Sequence, residues 1–461
     1  MRATSHCPAL PPPTGSIVTV STESALRQQA YEATPGTTIL VEAGTYHMQD
    51  LVHIVNDAIT LRGATGSRGD VVLDFGGMVG GHFGVMVDGD DVTIADLTIR
   101  NANDHGVSIQ GADRPVLYNL HIYDIGDQLV KVNPIGDGSE DGLLACSRLE
   151  YTTSAPDEYT NGISAHLAHR WVVRDNEWYR IRTPGNDPVP TILFWSASTD
   201  TVVERNLLVD CYQGIAFGNA SHGEGDHVGG VVRNNMIYAS MRHDVVIEMV
   251  HASGWLVANN TALLLDPDGG LTWGMEARYP DSQGTFAYNL TNMAIWEDRD
   301  GGQGVLVGNV TGAGADWFVD AAAGDLHLVS TATGAIDQAA SMPEVADDYD
   351  GQGRPFGPAP DVGADEYVHW NRQVYIPIVL RESEACRSPG PYCQPAHTTL
   401  PRGAFISWGS PSSLSERTVI LRSEGGKAAE ATKNLDIGAR FTAENEILRP
   451  LRGLRMTKRA L

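Results

Sequence analysis

The stretches VVRDNEW, VVERNLL and VVRNNMI begin at Val172, Val202 and Val231. One phrase, β-branched residues followed by polar ones and then Asn, recurs at nearly constant spacing. Asn260 in LVANNTA, Asn289 in TFAYNLT and Asn309 in VLVGNVT fill the same slot downstream, and Asp96, Asn119 and Ser147 fill it upstream. The slots fall at 96, 119, 147, 176, 206, 235, 260, 289 and 309, with gaps of 20 to 30 residues. A period of that size with one polar residue in register marks a solenoid, whose repeats bury their apolar sides only by stacking. The runs between slots are short and β-rich, such as GVSIQ, GISAH and GIAFG, with Gly, Asn and Asp between them. Their two-residue alternation predicts strands, and a helical period is confined to STESALRQQAYEA near the start. The expected fold is therefore all-β, a parallel β-helix of about ten coils rising about 4.8 Å each. An Asn at the same corner of successive coils can stack, its amide donating and accepting along the axis. The alternative is that these Asn only form turns in the left-handed conformation.

Two stretches carry a family resemblance. PGTTILVEAGTYHMQDLVHI followed by AITLRGATG resembles the first coil of right-handed parallel β-helix proteins of the pectate-lyase-like superfamily, and VTIADLTIRNANDHGVSIQGADRPVLYNLHIYD resembles their standard coil. DYDGQGRPFGPAPDVGADEY, Asp348 to Tyr367, is similar to the closing segment of many secreted bacterial members. The resemblance spans about residues 16–367 and implies a right-handed β-helix. It implies no single reaction, because that fold carries lyases, hydrolases, epimerases and adhesins.

The expected organisation is a disordered Pro-rich lead at 1–15, then a β-helix at 16–340 whose helix at 22–33 caps the first coil. A capping segment and the apolar motif VYIPIVLR follow at 341–381, and an irregular, disordered or non-native tail at 382–461. Loops at 133–142, 182–190 and 219–230 leave the coils. Charge divides at the same boundary: residues 1–381 hold 20 Lys and Arg against 49 Asp and Glu, whereas 382–461 hold 12 against 8. So acidic a body excludes nucleic acid as a partner. No apolar run is long enough for a membrane span. The five Cys show no metal-like spacing, and Cys146 and Cys211 are expected to be buried as small apolar residues rather than bridged. The first 30 residues lack the apolar core of a secretory signal. The resemblance nonetheless implies a secreted or cell-surface bacterial protein, acting as a monomer, whose true start would lie upstream.

A packed solenoid has no internal cavity, so chemistry belongs on outward side chains. Alternation in LVKVN, GISAH, TILFW, VVIEM and WGMEARY directs Lys131, Asn133, His166, Trp195, Glu248, Glu276 and Arg278 outward onto one face. Lys131, His166, Glu248, Glu276 and Arg278 are the candidate catalytic residues, with Trp195, Asn133 and Tyr159 as candidate substrate contacts. The cluster SHGEGDH offers His222, Glu224, Asp226 and His227 to a metal, Ca²⁺ above all. Each also has an ordinary role: solvated strand cations, an aromatic packed under a loop, a polar loop. The set suits an extended polysaccharide, with cations for carboxylates and Trp for a sugar face. The expected function is a polysaccharide lyase on a uronate-containing glycan, with Lys131 or His166 as base and Arg278 or Ca²⁺ neutralising the uronate. The alternatives are a glycoside hydrolase using Glu248 and Glu276, or a non-catalytic glycan-binding or structural solenoid.

Overall fold

The computed structural model describes residues 7–187, 189–265 and 273–368, with the backbone of Phe405–Ser407 and Ile420–Arg422, which pair antiparallel. The expectations for the motif at 374–381 and for the rest of the tail lie outside the described residues.

Most coils give one strand to each of three parallel sheets, and four of them add a second, two-residue strand to the first. The first sheet runs from Ser16–Val20 to Gln303–Val307, the second from Val52–Ile54 to Ile295–Arg299, and the third from Gly44–His47 to Leu290–Thr291. The second and third hold ten strands each, a stack about 43 Å long at the usual rise between strands. Like residues stack in register: Val172 pairs with Val202, and Val202 with Val231. Burying one side of each strand pins that register, because a one-residue slip would turn the apolar set to water. Ile163, Ala165, Ile192, Phe194, Val130 and Val132 all point inward and are fully buried. The helix Glu23–Glu32 covers the N-terminal end with Leu26 and Ala30, and Thr22 Oγ1 caps it by accepting from Ala25 N–H at 3.2 Å.

The Asn residues form a ladder. Asn206 N–H and Nδ2 both donate to Asn235 Oδ1, at 2.9 and 3.0 Å, and Asn235 repeats the pattern on Asn260 at 3.1 and 2.9 Å. Asn176, Asn289 and Asn309 continue it, and Ser147 N–H donates to Asn176 Oδ1. The left-handed residue is not the Asn but the one before it: Cys146, Asp175, Arg205, Asn234, Asn259 and Tyr288 have φ between 50° and 58°. This corrects the register at the first two slots. Asp96 and Asn119, with φ of 58° and 50°, occupy the left-handed column, so Leu97 and Leu120 stand at the ladder position. Asp and Asn tolerate that backbone well, which made them look like ladder residues.

The described lead and the closing cap both dock on this left-handed corner. The lead is ordered from Cys7 onward, contrary to the expectation of disorder up to residue 15. Cys7 is disulfide-bonded to Cys146, so Cys146 is not the unbridged thiol expected; Cys211 remains a free, buried cysteine. Tyr118 Oη donates to Pro8 O at 2.6 Å and Arg62 Nη1 to Pro11 O at 2.9 Å, while Leu10 packs near Ala95 and Ala145. At the other end the coils stop at Val307, not near 340. Residues 313–364 form a cap whose Phe318, Leu326 and Val362 pack with Met236, Leu263 and Leu290. Arg205 pairs with Asp347 at 2.9 Å, Asn234 Nδ2 donates to Asp347 O at 2.9 Å, and Asn259 Nδ2 to Asp361 O at 3.0 Å.

Candidate functional site on the second sheet

The outward residues of the second sheet form two vertical columns. One runs Ser108, Lys131, Ser164, Leu193, Ala216, Glu248, Glu276, Trp296. The neighbouring column includes Gln110 with Asn133, and His166 with Trp195. All candidates taken from the alternation therefore lie on one face. They do not lie in one place. Lys131 and Glu248 are four strands apart, about 19 Å at the usual rise. Arg278 lies a further strand along, so it cannot neutralise a sugar held at Lys131.

The lower cluster centres on Lys131, which strand Val130–Asn133 holds 5% exposed. Its Nζ lies 2.8 Å from His166 Nε2, 3.2 Å from Tyr159 Oη and 3.4 Å from Ser164 Oγ. Burial lowers the Lys131 pKa to about 8 against the opposing pull of Asp127 and Asp104. Burial, then the charges of Lys131 and His222, lowers that of His166 to about 4. His166 is thus neutral near pH 7. Its Nδ1 lies 3.2 Å from Ser196 Oγ, which is able to accept from an Nδ1–H, and in that tautomer Nε2 accepts from the lysine. Asn133 Nδ2 donates to Ser108 Oγ at 3.1 Å and Gln110 Oε1 at 3.3 Å, and Tyr159 is half exposed at the rim. Trp195 stacks with His222 at 4.7 Å and meets His166 tilted at 4.4 Å. Imidazoles therefore occupy the indole surface proposed for a sugar.

Beside Lys131, at the corner entering the second sheet, stand Asp104, His105 and Asp127. Asp127 N–H donates to Asp104 O at 2.9 Å, so the two acids stack on successive coils. Their ligand atoms, with one from His105, lie within 4.8 Å of one another. Burial, then the hydrogen-bonded Asp104 carboxyl, raises the Asp127 pKa to about 7. Burial lowers that of His105 to about 4, and its buried Nδ1, although 3.2 Å from Asp104, makes no hydrogen bond. Asp104 and His105 were missed because NANDHG reads as a turn. The signal was present: 104 and 127 are 23 apart, the same gap as 96 to 119.

The SHGEGDH residues do not converge. His227 is fully buried, stacked on Phe217 at 4.0 Å, with Nε2 3.0 Å from Thr201 Oγ1. Asp226 accepts from Ser196 and Asn219 N–H and lies 2.6 Å from His222 Nδ1, while Glu224 is exposed. The structure thus joins only His222 to Asp226, in a loop-closing contact, and Asp226 spends its oxygens on backbone amides.

The upper cluster pairs Glu248 with Arg278 at 3.1 Å and the fully buried Glu276 with Arg299 at 2.5 Å. Burial is the main cause that raises the Glu276 pKa to about 7, with Glu248 adding to it against Arg299. Arg299 lies over the Trp273 ring at 4.0 Å.

Residues 75–262 match the family model described as the right handed beta helix region. Among solved structures, pectate lyase Pel9A aligns over 77% of this chain and 96% of its own, with TM-score 0.53 and 14% identity. The chain folds as a right-handed parallel β-helix. An alginate lyase from Paenibacillus sp. str. FPU-7 aligns over 63% of this chain and 97% of its own, at TM-score 0.46 and 21% identity. PfbA, a surface adhesin of Streptococcus pneumoniae, aligns over 62% and 84%, at TM-score 0.41 and 12% identity. No curated protein matches the chain. Among the described residues, no helix of this β-helix is long and apolar enough to cross a membrane.

Proposed function

We propose that this β-helix is an extracellular polysaccharide lyase that cleaves a uronate-containing glycan at the Lys131 cluster. The observation that carries the reading is a buried lysine whose Nζ lies 2.8 Å from a neutral imidazole, with its pKa lowered to about 8. A lysine so placed holds a usable fraction of free amine near neutral pH. In β-elimination the Lys131 amine takes the proton from C5 of the uronate. The C4–O bond breaks as the C4–C5 double bond forms, and the leaving oxygen takes a proton. Tyr159, whose Oη lies 3.2 Å from Nζ, is the placed donor. His166 holds the lysine in position and, once Lys131 is protonated, accepts from it.

A Ca²⁺ ion fits beside this cluster rather than at the SHGEGDH loop. Two stacked carboxyls that hydrogen-bond each other need a proton or a cation between them, and Asp104 and Asp127 supply that pair. Bound there, the ion would neutralise the uronate carboxylate and acidify C5. Secretion is supported by the disulfide of Cys7 and Cys146, which persists in oxidising compartments. The hydrolase reading is weaker, because Glu248 and Glu276 are within hydrogen-bonding reach of each other, closer than the about 5 Å of a retaining pair and the wider gap of an inverting one.

The test is turnover on a panel of polyuronates, with and without calcium, followed by ultraviolet absorbance of the unsaturated product. Signal in the wild type and its loss in Lys131→Ala and His166→Ala, with both variants folded, is expected. New reducing ends without unsaturation would replace the reading with hydrolysis, and binding without either would replace it with a glycan-binding solenoid.

A further inference from the structure

The upper cluster lies outside the proposed cleavage site but on the same columns. Between Lys131 and Glu248 the first column passes Ser164, Leu193 and Ala216, a floor of small or apolar residues. At its far end Glu276 pairs with Trp296, six strands from Lys131 and about 29 Å away. Trp296 is 44% exposed, with its ring edge against Trp273 at 5.6 Å. An outward indole left this open on a strand is a surface for the apolar face of a sugar. Arg278, one-fifth exposed, pairs with Glu248 and with Asp300 at 3.0 Å. Gln213 is 3% exposed and donates to Glu248 at 2.8 Å, but its buried Oε1 has no partner. A buried acceptor against a largely buried ion pair, with an open aromatic two strands beyond Glu248 on the same column, is unusual for a surface that only packs. A sugar hydroxyl would satisfy it.

We infer that Trp296, Arg278, Glu248 and Gln213 form a distal run of subsites for successive sugar units of the same glycan chain cleaved at Lys131. The inference rests on the lyase reading for its substrate class. The rise between coils is close to the length of one pyranose unit, so a chain laid along the column advances about one sugar per strand. It reaches Glu248 about four sugars from the scissile bond and Trp296 about six. Trp296 stacks on the ring, Gln213 accepts a hydroxyl, and Arg278 offers its exposed edge to a uronate carboxylate in exchange for Asp300. The enzyme is thereby selective for long chains.

The experiment compares kcat/KM on purified uronate oligomers from trimer to decamer for wild type, Trp296→Ala and Trp296→Thr. The second substitution suits a strand if the first unfolds. The expected result is a rise in wild-type kcat/KM beyond about six units. Both variants should lower the ratio of decamer to trimer kcat/KM by about tenfold, through KM, as loss of one stacked ring implies. A wild-type profile flat with length, or an unchanged ratio in the variants, overturns the subsite. If no oligomer is cleaved, the lyase reading fails by itself. Calorimetric titration of the decamer then decides the subsite: binding weakened by Trp296→Ala supports it, and unaltered or undetectable binding overturns it.

Discussion

Replacing Asn235 by Leu tests what holds the coils in register. The side chain is fully buried, and leucine keeps its branched heavy-atom skeleton, although its methyl groups are bulkier than the amide and add to the cost through overpacking. The hydrogen bonds also change. Asn206 N–H loses its acceptor at 2.9 Å, and Val203 O loses the Asn235 Nδ2 donor at 2.9 Å. Two buried backbone groups left unpaired cost about 1–3 kcal/mol each, so unfolding free energy falls by about 2–6 kcal/mol. Urea unfolding followed by circular dichroism measures this. Asn309→Leu is the internal comparison, because Asn309 is the last rung and only partly buried. A long stack of coils can open in parts, so the two variants are compared by midpoint as well as by extrapolated free energy. A loss under about 1 kcal/mol at Asn235, or an equal loss at both positions, would falsify the view that the ladder supports the turns.

Four further outcomes follow from the geometry. Lyase kcat/KM should rise with pH through about 8, because only the deprotonated Lys131 accepts a proton, and an acid-only optimum would exclude it as the base. Calcium should raise the melting temperature at pH 8 and do so less as pH falls below about 7, where a proton occupies the Asp104–Asp127 pair; Asp127→Asn should abolish the shift. Cys7→Ser should lower stability by about 2–5 kcal/mol, since the bridge closes a separation of 139 residues, and equal urea midpoints with and without reductant would refute that. His327 pairs with Asp325 at 2.5 Å and lies 3.4 Å from Asp350; these acids, against the cost of burial, raise its pKa to about 10. A raised histidine pKa stabilises fully below the unfolded value and is lost as pH rises through about 10. His327→Gln should therefore flatten stability between pH 7 and 10, measured by urea midpoints.

The coil was legible because one side of every strand is buried. That requirement gave Lys131, His166 and Trp195 their outward direction from alternation alone, and the structure places them on one sheet. Distance along the axis was also encoded, since Lys131 and Glu248 are separated by four repeats, but alternation alone does not count repeats. The ladder misreading at Asp96 and Asn119 has a local cause: both the left-handed corner and the rung favour Asn and Asp, and adjacent positions are confused when only one is polar. The bridge from Cys7 to Cys146 was hidden because chain order carries no information on where a lead folds back. Asp104 and His105 were hidden by resembling turn residues, although their stacking partner Asp127 lies one repeat on.

The closing cap grips Arg205, Asn234 and Asn259, the same corner residue on three consecutive coils. It therefore works as a gauge block. A coil inserted or deleted between those residues would shift one anchor by a full rise, about 4.8 Å, and break the fit. A whole coil could therefore be added without disturbing the cap only in a stretch that the cap's three anchors do not span.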